Sequence, residues 1–244
     1  MGLKEKFKQF IDKSLYYPKW TCNVCGEEIF SDDYFCPNCK SQLSFISGPI
    51  CDHCGRITLV PENYCHTCKG RLVSTEKARS VFDYKPPISS LIKGFKYDNK
   101  RYLLEFFAKE LSFLYFKYFY DCEVITFVPM TLKSEKEREY NQSRLLAERL
   151  SEIVKTPCLA LFEKVKETQR QATLNREERL KNLKGAFRLI SRKQVKEKRI
   201  LIVDDVSTTG TTAEILAQIL NKAKAKSVCL LTLASVSTLN LENL

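Results

Sequence analysis

The chain has 244 residues, of which 44% are hydrophobic and 28% charged, and its formal net charge is +11. These values are ordinary for a soluble globular protein with one substantial core and a small accessory module. No uncharged apolar run approaches the roughly 20 residues that span a bilayer, which argues against stable membrane insertion and favours a cytoplasmic location.

Residues 1–19 are predicted to form a helix. Apolar side chains recur there at helical spacing among lysines, in place of the apolar core of a secretion signal. These side chains are Leu3, Phe7, Phe10, Ile11 and Leu15. The simplest interpretation is a helix that packs against the body of the protein, with contact to a membrane surface or a partner as alternatives.

Eight cysteines between residues 22 and 68 form one pattern twice. The segments CNVCGEEIFSDDYFCPNCKSQL and CDHCGRITLVPENYCHTCKGRL align with an offset of 29 residues, which indicates an internal duplication. Because two C-x-x-C turns can supply four thiolates to one tetrahedral ion, residues 20–72 are predicted to be a double zinc ribbon with two structural Zn²⁺ ions. The predicted ligands are Cys22, Cys25, Cys36, Cys39, Cys51, Cys54, Cys65 and Cys68.

The repeat leaves the grouping of these cysteines open. Each repeat could bind one ion by itself, or the two ions could bind across the repeats. Disulfides are the structural alternative, but the absence of a secretion signal argues against them. Since eight sulfurs satisfy two ions, His53 and His66 are not expected to be ligands. We favour a module that staples a segment too small for its own core, with nucleic-acid contact as the alternative.

Each repeat has a glycine directly after its first C-x-x-C, at Gly26 and Gly55. The chain must turn its amides back toward sulfur at this point, and a positive φ there suits glycine. Cys122, Cys158 and Cys229 lie outside the repeats in apolar contexts. We expect them to be buried as small hydrophobic residues.

From about residue 80 the chain alternates between predicted strands and helices. The strands are VFDY, VITFVP, RILIVDD and VCLLTLA, and helices are expected near 101–119, near 142–154 and from about Ala213. This alternation predicts an α/β fold with a mostly parallel sheet flanked by helices over residues 80–236. Ligands of such folds bind beyond the carboxyl ends of the strands.

The stretch 131–199 contributes most of the positive charge, with 19 Lys or Arg against 10 Asp or Glu. Clustered positive potential concentrates phosphates at a protein surface, so a polyanion or a phosphorylated ligand is the expected partner. A solvated face of amphipathic helices is the alternative.

The segment RILIVDDVSTTGTTAEILAQIL (199–220) combines two features of a sugar-phosphate site. Asp204 and Asp205 follow a buried strand, where their carboxylates can accept hydrogen bonds from vicinal hydroxyls. A hydroxyl-rich loop then leads into a helix, whose N-terminal amides can cradle a phosphate around Gly210. The segment lacks the Gly-Lys-Ser/Thr of a P-loop and the G-x-G-x-x-G of a dinucleotide site. Metal binding by the acids, or a simple helix cap, is the alternative.

This segment resembles the phosphoribosyl-pyrophosphate (PRPP) signature of type I phosphoribosyltransferases. The resemblance implies that Asp204 and Asp205 are the catalytic residues, that they contact the ribose 2′ and 3′ hydroxyls, and that PRPP binds together with Mg²⁺. It also implies that the loop binds the 5′-phosphate. This loop, called the phosphate loop below, consists of Ser207, Thr208, Thr209, Gly210, Thr211 and Thr212.

The order of motifs along the chain narrows the resemblance. FVPM, KEREYNQSRLLAERL, TQRQATLNREERLKNLKGAF and the PRPP signature follow a double zinc ribbon, and this combination resembles the ComF family of competence proteins. The resemblance implies a phosphoribosyltransferase-like domain that serves DNA uptake in natural transformation. Single-stranded DNA and competence or DNA-processing proteins are the implied partners.

The same resemblance implies further contacts to the ligand. Arg138, Asn141 and Gln142 would lie near the bound diphosphate. A loop would approach it with residues Gln171, Arg176, Arg179, Asn182, Lys184 and Gly185.

Two positions depart from the family pattern. Family members commonly read R-G-F-N-Q where this chain reads REYNQ, so Glu139 stands at the usual glycine, and Thr131 stands where a proline is expected. A carboxylate at 139 could weaken diphosphate binding or point outward. No segment identifies itself as an acceptor site, so enzymatic transfer is left open. The alternatives are a phosphoribosyltransferase of nucleotide or amine metabolism and a zinc-ribbon adaptor that recruits other proteins.

Overall fold

The computed structural model describes residues 21–31, 33–66, 68–69, 73–167 and 176–237. The helix predicted for residues 1–19 lies outside these ranges. Gln171 and the side chains of Arg176 and Arg179 also lie outside the described part of the chain.

A parallel sheet of four strands forms the centre of the fold, which confirms the predicted α/β class. Its strands are β1 (Lys77–Asp83), β2 (Val124–Phe127), β5 (Arg199–Ser207) and β6 (Ser227–Ser235), in the order β1-β6-β5-β2. A separate antiparallel pair joins β3 (Phe162–Lys164) to β4 (Phe187–Leu189). Strand β6 is buried along nearly its whole length and β5 is buried from Ile200 to Val203, as continuous apolar runs predict for a sheet covered on both faces.

Helices pack on both faces of the central sheet, and one short helix lies within the first ribbon. They are α1 (Pro37–Ser41), α2 (Ile88–Tyr97), α3 (Leu104–Tyr118), α4 (Leu132–Arg138), α5 (Gln142–Val154), α6 (Arg176–Leu183) and α7 (Thr211–Lys222). The helices expected near 101–119 and 142–154 are confirmed, and the first of these opens with a 3-10 turn at Arg101–Leu103. No helix in the described ranges is long and apolar enough to cross a membrane.

Four of these helices, α1, α2, α4 and α6, were missing from the sequence prediction, and α6 lies where a loop was expected. Helix α2 carries buried Ile88, Leu91, Ile92 and Phe95 at helical spacing, so its amphipathic pattern was present in the sequence. Helix α4 buries none of its residues, and therefore no apolar periodicity announces it. The side chain of Thr131 caps α4 by accepting a hydrogen bond from the amide of Ser134 at 3.2 Å.

The two faces of the sheet carry separate hydrophobic clusters. One cluster combines α3 and α5 with residues of the first ribbon, and the other combines α7 with the β3–β4 pair. Strand β1 begins at Lys77, earlier than its apolar run, because residues 77–80 pair with β6. Cys122 and Cys229 are buried as expected, and Cys158 is half-buried.

Both ribbons make backbone hydrogen bonds to β1, and each adds side-chain contacts of its own. The first packs through aromatic rings: Phe35 lies 5.0 Å from Phe106 of α3, measured between ring centroids. The second docks through polar groups: the amide of Ala78 donates to the carbonyl of His53 at 2.7 Å, and Arg79 donates to the carbonyl of Asp52 at 2.7 Å. The second ribbon is therefore tied to the amino-terminal end of β1 by one backbone and one side-chain hydrogen bond.

Candidate functional site

The described cysteines form two tetrads, one in each repeat. Cys22, Cys25, Cys36 and Cys39 make the first, and Cys51, Cys54, Cys65 and Cys68 make the second, with all Sγ atoms of a tetrad within 4.8 Å of one another. The grouping is therefore sequential, which the sequence had left open. In each tetrad the second and third sulfurs lie 3.8 Å apart. A tetrahedral ion with Zn–S bonds of about 2.3 Å requires sulfur spacings of about 3.8 Å, so both tetrads fit a structural zinc ion.

The turns that hold the sulfurs use glycine as expected. Gly26 has φ 76° and Gly55 has φ 69°, and each donates its amide to the carbonyl of the first cysteine of its repeat at 2.8 Å. His53 and His66 belong to neither tetrad. His53 is buried and stacks on Tyr64 at 5.6 Å between ring centroids.

The DDVSTTGTT segment joins strand β5 to helix α7 at the carboxyl edge of the sheet. The strand continues through both acids to Ser207, and the helix begins at Thr211, two residues earlier than predicted. Gly210 is the N-cap, with φ 73°, and open space surrounds the position of a Cβ there. The first amides of a helix have no intrahelical acceptor, so this end of α7 offers donors and room to an anion.

The threonines of the loop have unequal positions. The side chain of Thr211 is buried, and its hydroxyl lies 2.7 Å from that of Thr209. Thr208 is exposed, and Thr212 is half-buried. Thr211 therefore supports the loop from inside, whereas Thr208 lies on its outer surface.

The carboxyl group of Asp204 is half-buried and has two hydrogen-bond donors from the protein. The hydroxyl of Ser143, in the first turn of α5, donates to its Oδ1 at 2.7 Å, and the amide of Asp205 donates to the same atom at 2.9 Å. Burial, together with the negative charge of Asp205, raises the pKa of Asp204 to about 7. Asp204 is thus poised to exchange a proton near neutral pH.

Asp205 forms an ion pair with a residue that sequence reasoning missed. The Nζ atom of Lys96, in the last turn of α2, lies 2.8 Å from Oδ1 of Asp205, and both side chains are largely buried. Burial alone would lower the pKa of Lys96, but the charge and hydrogen bond of Asp205 outweigh it and raise that pKa. The amphipathic pattern of α2 was visible in the sequence and could have indicated the helix that carries Lys96.

Asn141 and Gln142, expected near the diphosphate, have buried side chains that tie backbone segments together. Asn141 caps α5 by accepting from the amide of Arg144 at 3.2 Å, and it donates to the carbonyl of Val128 at 3.0 Å. Gln142 donates to the carbonyl of Lys96 at 3.1 Å. These bonds fix the helices that carry Ser143 and Lys96 against the end of β2.

Arg138 and Glu139 lie on the outer rim of this site. The guanidinium of Arg138 lies over the ring of Tyr97 at 5.0 Å. Glu139 adopts φ 67°, a conformation that suits glycine, and its exposed carboxylate pairs with Arg101 at 2.8 Å. The carboxylate at the usual glycine position therefore points outward, to a partner of its own.

The end of the expected approaching loop packs against helix α7. Asn182 belongs to helix α6, and Lys184 and Gly185 follow it, with φ 69° at Gly185. Leu183 of α6 is buried in the same cluster as Leu216 of α7. The chain after Leu183 therefore begins at a position that is packed against α7.

Comparison with known proteins matches both parts of the chain. A model described as a double zinc ribbon domain matches residues 13–69, and one described as a phosphoribosyl transferase domain matches residues 141–242. The chain is 30% identical to Competence protein F of Haemophilus influenzae, over 79% of this chain and 86% of that protein. It is 29% identical to Competence protein ComFC of Bacillus subtilis, over 83% and 84% of the two chains. It is 31% identical to DNA utilization protein YhgH of Escherichia coli, over 85% and 86%.

Proposed function

Because this chain belongs to the ComF family of competence proteins, we propose that it serves DNA uptake in natural transformation by binding PRPP or a related ribose 5-phosphate at its DDVSTTGTT segment. The names of its relatives support the biological role, since two are competence proteins and a third is a DNA utilization protein. The matched phosphoribosyl transferase domain supports the class of ligand.

One observation carries the assignment of the ligand. Two adjacent carboxylates, Asp204 and Asp205, lie only a few residues before the open amino end of α7 at Gly210. Carboxylates accept hydrogen bonds from a ribose diol, and the helix terminus stabilises a phosphate dianion. A ribose 5-phosphate has both groups within one small molecule.

Mg²⁺ fits the same carboxylates. It takes oxygen ligands and is commonly held by one or two carboxylates together with the phosphates of a substrate. Asp204 and Asp205 are the residues of this chain that would hold it. Bound Mg²⁺ would favour the ionised form of Asp204, so binding is expected to release a proton near neutral pH, where this carboxyl has its pKa of about 7.

Enzymatic transfer is the alternative function. The same two carboxylates would hold the ribose while an acceptor attacks its anomeric carbon and diphosphate leaves. Release of diphosphate from PRPP in the presence of a nucleobase or an amine would favour this alternative. An adaptor that only recruits proteins through its ribbons is expected to bind no PRPP at all.

Thermal melting of the full chain tests the proposed ligand. Millimolar PRPP with Mg²⁺ should raise the melting temperature, because a ligand that binds the native state stabilises it by mass action. The change of Asp204→Asn with Asp205→Asn should abolish this shift without unfolding the protein. Asp33→Asn with Asp121→Asn removes the same charge elsewhere and should leave the shift intact. An equal rise of the melting temperature in the variant with both Asp204 and Asp205 replaced would show that these acids do not bind the ligand.

Single-stranded DNA is the second ligand that we propose, on the basic stretch 131–199. Several cations of this stretch pair with carboxylates, including Arg149 with Glu105 and Arg188 with Glu163. Lys181 and Lys184 are exposed at the end of α6, which also carries Arg176 and Arg179. This segment lies beside α7, so a DNA strand on it would run close to the phosphate loop.

The salt dependence of binding tests the DNA contact. If phosphate contacts dominate, affinity for single-stranded DNA should fall steeply with salt and vary little with base sequence. Arg176→Glu with Arg179→Glu should weaken binding. Lys109→Glu with Lys117→Glu makes the same change in net charge on α3 and should weaken it much less. If both pairs of substitutions weaken DNA binding equally, the effect comes from net charge in general and the proposed contact on α6 is contradicted.

A further inference from the structure

The second ribbon touches the backbone of the phosphate loop. The Nη2 atom of Arg56 donates a hydrogen bond to the carbonyl oxygen of Thr208. Arg56 is only 8% exposed, so the guanidinium lies inside the interface between ribbon and loop. A charged donor in such a place makes a stronger hydrogen bond than a neutral one.

The backbone of Arg56 is itself held by the second tetrad. Its carbonyl accepts from the amide of Cys51 at 2.9 Å, and Arg56 follows Cys54 by two residues. The position of the guanidinium therefore depends on the turn that the tetrad closes.

A second connection joins the end of this ribbon to helix α7. The carboxylate of Glu214, in the first turn of α7, accepts from the amide of Ser74 at 3.0 Å and from its hydroxyl at 2.6 Å. Asn221, about two turns further along α7, donates to the carbonyl of Ser74 at 2.8 Å. Both the loop and the helix that follows it are thus fixed to the chain of the second ribbon.

The first ribbon has no counterpart of Arg56. The residue at the same place in the first repeat is Glu27, which is exposed. Its ribbon packs on α3 through Phe35 and on β1 through Phe45. The duplicated modules have therefore diverged in what they support.

We propose that the second zinc ribbon is a functional part of the ribose-phosphate site, with Arg56 as the residue that positions the phosphate loop. In a planar trans peptide the N–H points opposite to the carbonyl. When Arg56 holds the carbonyl of Thr208, the amide of Thr209 is directed away from the ribbon, toward the open side of the loop. The integrity of the second tetrad then controls the affinity for the ligand, and that of the first does not. This inference rests on the proposed ligand only in its last step.

Hydrogen exchange of the full chain, without ligand, tests the contact directly. The amides of Val236 and Glu214 donate to the carbonyls of Ser207 and Gly210, on either side of Thr208, at 3.1 and 2.9 Å. Arg56→Ala should speed exchange of these two amides about tenfold, because loss of a hydrogen bond to a charged group changes the opening equilibrium of the loop by at least that factor. Arg56→Lys keeps the charge and should restore part of the protection. Glu27→Ala, at the matched position of the first repeat, should leave the exchange of these amides unchanged. Unchanged exchange in Arg56→Ala would overturn the inference.

Disruption of each tetrad provides the second arm. Cys54→Ser should speed exchange of the same two amides and reduce the melting shift with PRPP and Mg²⁺, whereas Cys25→Ser, its equivalent in the first repeat, should change neither. Equal effects of the two serine variants on the loop would overturn the assignment to the second ribbon. Absence of a PRPP shift in the wild-type protein would count against the proposed function alone, since the exchange data judge the contact by themselves.

Discussion

Replacing Asp204 by asparagine should stabilise the ligand-free protein at alkaline pH while it removes a residue of the proposed site. Burial and the charge of Asp205 raise the pKa of the Asp204 carboxyl from its usual value of 3.8 to about 7. The ionised form is therefore less favourable in the folded protein than in the unfolded chain. Asparagine keeps an oxygen that can accept from Ser143 and from the amide of Asp205, and it has no charge to bury.

The sign follows from proton linkage. Between pH 3.8 and about 7 the native state binds more protons at Asp204 than the unfolded state, so stability falls as pH rises through this window. For this group alone the loss is about 2 kcal/mol at pH 5 and about 4 kcal/mol at pH 8. Because the charges of Asp205 and Lys96 lie beside this carboxyl, we expect the difference between the two pH values to be about 1–3 kcal/mol.

Urea denaturation of wild type and Asp204→Asn at pH 5 and pH 8 measures this quantity. The variant should gain stability relative to wild type as pH rises, and effects that do not depend on pH cancel in the comparison. Asp83→Asn is a useful control because Asp83 is also a buried acid but pairs with Lys85 instead. If the stability of the variant relative to wild type is the same at both pH values, the raised pKa of Asp204 is refuted.

The remaining predictions concern the rim, the loop and the ribbons. Glu139→Gly should raise the free energy of unfolding by up to about 1 kcal/mol, because φ 67° costs less for glycine; a loss of stability on chemical denaturation would contradict this. Gly210→Val should lose the PRPP-induced melting shift and about 1–2 kcal/mol of stability through its φ of 73°, while Gly210→Asn should lose less stability, since asparagine tolerates that region. Elemental analysis should find two zinc ions per chain, and chelation should unfold the ribbons before the α/β domain; one ion or none would argue against two closed sites.

The features that the sequence predicted are local in the chain. The C-x-x-C turns, the glycines after them and the repeat offset lie within short segments, and each tetrad takes its four sulfurs from one repeat. The segment from β5 to α7 could also be predicted from the sequence, because a strand, two acids, a loop and a helix follow one another directly. The α/β class followed from the alternation of strands and helices.

Some expected site residues have partners within the protein that the sequence did not show. Asn141 and Gln142, which the resemblance places near the diphosphate, donate to the backbone carbonyls of Val128 and Lys96, and their contact with a diphosphate stays a prediction. A buried amide that ties two segments together and one that faces a ligand look the same in a sequence. Only the position of the partner carbonyl separates the two cases.

Tertiary structure alone decided which distant residues meet at the acids and the loop. Lys96 reaches Asp205 across 109 positions of the chain, Ser143 reaches Asp204 across 61, and Arg56 reaches Thr208 across 152. None of these pairs leaves a periodic or spaced pattern, because each depends on the order of the strands and on helices packing over their carboxyl ends. The sequence by itself determined which groups are present at the site, whereas packing decided their charge partners, and burial at that edge of the sheet sets the protonation of Asp204.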